Sequence, residues 1–290
     1  MPIVPQTDEE YHGGEGYSKS FLHKAWTKTP FHAKFGKRKE TTALAVGKAA
    51  HIAILQPELL DTSVTRGPAA RANSNVWKEA QDFADHAGTI LLKPEDHDTV
   101  MLIRDLAAMV PEIVLMQSGD QYTETAAYHT DEETGLLLKT KPDIYSIEHR
   151  IIGDVKNMAD ASYLAFQRDI GKYGYHMQHA VYEDVWTKGT TLPVDGFFFI
   201  VFEKSDPPMV ACYELLPSAI REGYEQYRAA VELVAKCEET GEWPGYPSGI
   251  QKIGLRRFDH KLTPAPEGPE LDGEDEEGED EEELDALPEA

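Results

Sequence analysis

The sequence predicts an α/β fold in which a mixed central sheet is flanked by helices, and three features carry that prediction. The first 120 residues show helical apolar spacing broken by polar loops. After Gln121 the period shortens to brief branched or apolar runs. Helical spacing then returns twice, on either side of two further strands.

Taken in order, Ser18 before Lys19-Ser20-Phe21-Leu22 is a helix N-cap, and Pro30 ends or bends the helix begun there. Thr42 to Leu55 is apolar nearly all round and reads as a buried helix closed by Pro57, with His51 inside the fold. A polar loop carrying Arg66, Arg71 and Lys78 leads into another helix, and Val100 to Val110 forms one more. Thr123 to His129, Leu136 to Lys141, Ile144 to Ile147 and Ile151 to Lys156 are then strands of a meander, separated by turn-like Asp-Glu-Glu-Thr-Gly and Glu-His-Arg. Ser162 to Trp186 is helical, Gly196 to Glu203 and Met209 to Leu216 are strands, and Pro217 to Cys237 is a long amphipathic helix. No internal repeat is visible, which argues against a solenoid.

The chain divides into a domain over residues 1–260 and an acidic tail over 261–290 that is expected to be disordered, because its composition buries too little surface to offset chain entropy. The net charge of −24 is unusual for a protein that binds nucleic acid, yet 14 of the 52 acidic residues lie between Glu267 and Glu289, leaving about −10 on the rest. Clustered carboxylates that hold cations also reverse the local field. The longest apolar run, Phe197 to Phe202, is far short of the roughly 20 residues a membrane span needs. With no basic or apolar leader after Met1, the expectation is a cytoplasmic protein that does not engage a membrane. Cys212 and Cys237 lack CxxC spacing, so a zinc ribbon or iron–sulfur cluster is not expected, and both read as reduced core residues.

The chemistry concentrates in Lys141-Pro142-Asp143, ten intervening residues, and Asp154-Val155-Lys156. Strand alternation puts Asp154 and Lys156 on one face and turns Val155 into the core. Two carboxylates and an amine then converge, a set suited to a hard cation such as Mg²⁺ and to hydrolysis by a metal-activated water. By itself the triplet also describes a turn aspartate and a surface ion pair.

It does not stand alone. The chain resembles the PD-(D/E)xK nuclease superfamily, with its restriction-endonuclease-like core, and within it the RecE-type exonuclease branch (exonuclease VIII) of phages and prophages. Tyr11-His12-Gly13-Gly14-Glu15-Gly16-Tyr17-Ser18-Lys19-Ser20 is similar to that branch's opening, Val46-Gly47-Lys48-Ala49-Ala50-His51 to its G-x-x-x-H helix, Gln178-His179-Ala180-Val181-Tyr182 to its Q-x-x-x-Y motif, and Trp243-Pro244 to its closing segment. The resemblance spans about Tyr11 to Phe258, with Asn157 where threonine is expected.

The resemblance implies that Asp143, Asp154 and the Val155 carbonyl ligate Mg²⁺, which Mn²⁺ can replace, with His51 as a further ligand and Lys156 acting on the attacking water. Glu124 is then a second-metal or outer carboxylate, and Gln178 and Tyr182 orient Lys156 or contact the DNA backbone. Lys19, Lys37, Arg38, Lys39, Arg71 and Lys78 are candidates for phosphate contacts, while Trp26 and Trp77 are expected to pack in the core rather than wedge a duplex. It further implies 5′→3′ digestion of linear double-stranded DNA to 5′-nucleotides, a 3′ tail passed to a single-strand annealing recombinase (RecT-like), and a ring-like homo-oligomer. The rivals are a structure-specific or single-strand nuclease on the same fold and a non-catalytic DNA-binding protein. No Walker motif is present, so ATP-driven unwinding is not expected.

Overall fold

The computed structural model describes residues 3–37 and 45–252. The chain forms two units, Met1–Tyr246 and Pro247–Ala290, and of the second only 247–252 are described, as exposed irregular chain. The acidic tail therefore lies outside the described residues. Among the described residues no helix is long and apolar enough to cross a membrane.

The central sheet has five strands in the order Met209–Glu214, Gly196–Glu203, Ile151–Met158, Ile144–Ser146, Gln121–Thr123. Its middle strand, Ile151–Met158, runs parallel to Gly196–Glu203 and antiparallel to Ile144–Ser146, so the sheet is mixed. Alternation divides its side chains. Ile151, Val155, Ile200 and Phe202 pack on one face under the helices Ala45–Leu55 and Pro94–Ala107. Ile152, Phe197, Phe199 and Val201 pack on the other, where Phe166 of helix Tyr163–Tyr173 and Tyr175 and Trp186 of helix Tyr175–Thr190 cover them. A sheet covered on both faces by helices is the architecture the sequence predicts.

Several expectations need correction. The four runs between Thr123 and Lys156 do not form one meander. Thr125–Thr130 and Leu137–Thr140 belong to a second, four-stranded sheet with Val4–Pro5 and Tyr17–Ser18 at its edges. The run read as one strand from Thr123 is broken at Glu124, whose φ of 50° lies in the left-handed region and redirects the chain from one sheet to the other. The helical stretch 162–186 is likewise two helices, because Gly174 at φ 66° ends one and begins the next. A short parallel pair, Val64–Arg66 with Ile90–Leu92, went unrecognised among the loops. The buried helix expected from Thr42 is described from Ala45.

The long helix Pro217–Thr240 closes the unit over helix Tyr175–Thr190 through Tyr227, Ala230, Val231 and Val234. Gly223 permits the approach, since a Cβ there would collide with the His176 carbonyl oxygen. Gly153, beside Asp154, is small for a related reason: a Cβ would lie 2.7 Å from Ile144 Cγ2 and 2.8 Å from Met116 Sδ. Both cysteines are free, Cys237 buried and Cys212 partly so.

Candidate active site

Hairpin register assembles the site. Ile144 stands opposite Gly153 and Thr123 opposite Ile144, so one step further along the strands sets Asp143 against Asp154 and Glu124 against Asp143. The Glu124 N–H donates to the Asp143 carbonyl at 3.0 Å, which locks that level. Three carboxylates thus form a row across three neighbouring strands, just where the Ile144 strand stops pairing and leaves the edge of Ile151–Met158 open.

The helix Ala45–Leu55 lays His51 on this row. His51 Nε2 lies 3.2 Å from Asp143 Oδ2 and Nδ1 lies 3.5 Å from Glu124 Oε1. The residue is not inside the fold as expected: its neighbours Ala50, Ala53 and Ile54 are buried, and its imidazole faces the carboxylates. One atom each from His51, Glu124 and Asp143 falls within 4.8 Å of the others, a nitrogen and two carboxylate oxygens suited to a divalent cation of the Mg²⁺ or Mn²⁺ kind. The Val155 N–H donates to Asp143 Oδ2 at 2.6 Å. Because the N–H and C=O of one extended residue leave the strand on the same side, the Val155 carbonyl points to this cluster as well.

Asp154 behaves differently from its neighbour. It is 3% exposed, its Oδ1 accepts from Gln178 Nε2, and its Oδ2 meets only the Lys156 ammonium. Alternation puts Asp154 and Lys156 on one face, as the sequence predicts, and helix Tyr175–Thr190 covers that face. Gln178 therefore holds Asp154 rather than Lys156. Tyr182, one turn on, lines the same cleft and packs against Phe197.

Electrostatics follow from crowding. Burial would depress His51, but Asp143 and Glu124 outweigh it and raise the imidazole to about 9. Burial pushes Asp143 up, and His51 and Lys156 more than offset this, holding it below the usual carboxylate range. Asp154 moves the other way: burial raises it, with Lys156 opposing and Asp143 adding. Glu124 is raised by burial and by Asp143, while Lys141 opposes.

The cleft, about 490 Å³, also contains residues whose place the sequence did not reveal. Lys19 is one. Expected to bind phosphate, it lies in the cleft with Nζ donating 2.7 Å to the Tyr173 carbonyl, and burial, followed by repulsion from Lys156, lowers it to about 7. The Tyr175 ring carries Lys156 Nζ at 5.2 Å and Lys19 Nζ at 5.7 Å from its centroid. Tyr175 sits three residues before Gln178, a helical spacing that would have put it on the same face. Lys141, nearly buried, bridges Glu124 Oε2 at 2.9 Å and Asp8 Oδ1 at 2.8 Å, and nothing in the motif signals it. A second opening of about 540 Å³, lined by Lys48, Ile90 and Asn157, reaches His51 and Val155 from the other side.

Arg71 and Lys78 are exposed and do not line the cleft, and Lys37 is exposed. Arg38 and Lys39 lie outside the described residues. Trp26 is not a core residue: it is 44% exposed, whereas Trp77 lines a separate groove.

A family model described as a PDDEXK-like domain of unknown function (DUF3799) matches residues 18–254. No curated protein matches the chain. Among solved structures, a protein of Eubacterium rectale named provisionally as an exonuclease is similar at 17% identity and TM-score 0.54, covering 89% of this chain and 98% of its own. A phage related exonuclease of Haemophilus somnus 129PT shares 12% identity over 67% of this chain and 95% of its own, at TM-score 0.32.

Proposed function

The chain belongs to the PDDEXK-like domain family, and from that premise we propose that it is a metal-dependent nuclease that hydrolyses DNA phosphodiesters at the Asp143, Asp154 and Lys156 site. The observation that carries this reading is the row of Glu124, Asp143 and Asp154 with His51 laid across it and Lys156 beside it. A binding module has no use for three carboxylates at the mouth of a cleft that must accept a polyanion.

In this reading His51, Asp143, Asp154 and the Val155 carbonyl would hold a divalent cation, Mg²⁺ or Mn²⁺, with Glu124 beside His51 and Asp143 as a second-metal or outer carboxylate. When bound, such an ion supplies a water of lowered pKa and neutralises charge on the phosphate. Asp154 anchors Lys156, and Gln178 fixes the Asp154 rotamer. Lys156 orients the attacking water and stabilises the charge that builds on the phosphoryl oxygens. The Tyr175 ring holds Lys156 and Lys19 on one side of the cleft, where both face the substrate backbone.

The finer reading rests on the RecE-type motifs: a 5′→3′ exonuclease on linear double-stranded DNA that leaves a 3′ tail, works as a ring-like homo-oligomer and passes the tail to an annealing recombinase. The test is release of acid-soluble nucleotides from linear duplex with label at one 5′ end, in Mg²⁺ or EDTA, beside a closed circular duplex. Early, Mg²⁺-dependent release of label from the linear substrate with the circle intact supports the 5′→3′ exonuclease. Cutting of the circle retains the nuclease and removes the exonuclease, and no release with any divalent metal overturns both.

A further inference from the structure

From Tyr17 to Lys39 the sequence carries seven lysine or arginine residues and no aspartate or glutamate, in a chain whose net charge is −24. The described part of this segment, to Lys37, begins at the cleft. Its first helix, Lys19–Thr27, begins with Lys19, Ser20 and His23 lining the site and goes on through Lys24 and Trp26 to Lys28 at its C-cap. At 1.5 Å per residue it reaches roughly 13 Å from the site, the reach of a few nucleotides. The second helix, Pro30–Phe35, adds Phe31 and Phe35 one turn apart with rings at 4.9 Å.

Two properties of this face identify what it fits. Its aromatic side chains are exposed, with Trp26 at 44%, Phe31 at 50% and Phe35 at 59%, although a soluble surface gains nothing from three such rings in ten residues. Its cations are available: Lys24, Lys28 and Lys37 pair with no described carboxylate, whereas Lys34 is tied to Glu238 at 2.8 Å. Flat apolar rings interleaved with uncommitted ammonium groups match a backbone of phosphates whose bases are unpaired and free to stack. A paired duplex would offer these rings only backbone, because its bases stack on each other.

We propose that the exposed side chains of residues 24–37, with Phe31 and Phe35 as the paired rings and Lys24, Lys28 and Lys37 as the cations, bind single-stranded DNA as a ramp beside the cleft. The inference deepens the nuclease reading by assigning the form of nucleic acid that lies beside the site.

The test is fluorescence anisotropy of a fluorescein-labelled oligothymidylate of about 20 nucleotides with the full-length chain in EDTA, so that cleavage is absent. Phe31→Ala and Phe35→Ala are each expected to weaken binding by about 5-fold or more. Lys24→Gln/Lys28→Gln/Lys37→Gln is expected to reduce the slope of log affinity against log salt by about 2. All these positions are at least partly exposed, and circular dichroism identifies any variant that fails to fold. Affinity within twofold of the parent for both sets would overturn the ramp. So would affinity that tightens in the lysine variant, the signature of a face occupied by the chain's own acidic residues 267–289. Cleavage by the unsubstituted protein in Mg²⁺ tests the nuclease reading separately: oligonucleotide binding through these residues without cleavage keeps the ramp and removes the nuclease, and cleavage with unaltered binding does the reverse.

Discussion

Gln178 Nε2 donates to Oδ1 of Asp154, so a helix side chain fixes the carboxylate that in turn pairs with Lys156. Gln178 is therefore a positioning residue. Gln178→Ala leaves one oxygen of a buried carboxylate without its donor, and kcat is expected to fall by about 10- to 100-fold, the usual cost of losing a group that orients an active-site ligand. KM should move little. An equal loss in KM alone would assign Gln178 to substrate binding instead.

Lys156→Ala removes the amine while leaving the carboxylate row in place. Cleavage is expected to drop by about 10²-fold or more, whereas binding of the same duplex in EDTA stays within a fewfold of the parent. Parallel loss of binding and cleavage would show that Lys156 serves affinity rather than chemistry.

Without metal, His51 gives the fold a pH signature. Its imidazole is raised to about 9 against the usual value near 6.5, so its contribution is complete below pH 6.5 and is lost as pH rises through 9. The Tm of the EDTA-treated protein should fall across that window, and His51→Asn should flatten the fall. Metal binding must displace the same proton, so apparent metal affinity is expected to rise with pH over this range, measured as proton release in titration calorimetry.

Lys141→Met tests the nearly buried cation that holds Glu124. The substitution leaves Glu124 facing Asp143 without its partner, and metal affinity is expected to weaken by about 10-fold or more, with some loss of stability. Lys141→Arg restores the charge and should recover part of the affinity. Identical metal titrations for parent and Lys141→Met would remove Lys141 from the site.

Gly223→Ala introduces a methyl group against the His176 carbonyl at the packing of the two longest helices. A loss of about 1–3 kcal/mol is expected in urea unfolding, because neither helix can shift without opening the core. An unchanged midpoint would show that the helices part easily there.

Much of this site was legible because strand geometry is local. Once Asp154-Val155-Lys156 is placed in a strand, alternation fixes which side chain meets which face, and the ten-residue spacing to Asp143 is the length of a hairpin that brings the two level. His51 came instead from the resemblance of Val46-Gly47-Lys48-Ala49-Ala50-His51 to a G-x-x-x-H helix, since its spacing alone reads as a core histidine. Lys141 and Asp8 were not legible as site residues, since they pair across 133 residues, whereas the helical spacing of Tyr175 from Gln178 could have shown it. Glu124 was named, but its left-handed backbone was not foreseen: Thr123 to His129 has an unbroken strand pattern, and only the pairing of its halves with different neighbours shows the break. Lys19 was singled out for phosphate and lies deeper than a surface contact, because the Tyr173 carbonyl that draws it inward belongs to a helix 154 residues away.

That break at Glu124 ties the site to the assembly of both sheets. A single residue ends a strand of one sheet, starts a strand of the other and delivers a carboxylate between them. A chain in which either sheet has yet to form lacks the alignment that puts Glu124 beside His51 and Asp143. On the nuclease reading this makes the fold a safety catch: a half-made copy, whether newly synthesised or partly melted, carries all the residues of the site without their alignment.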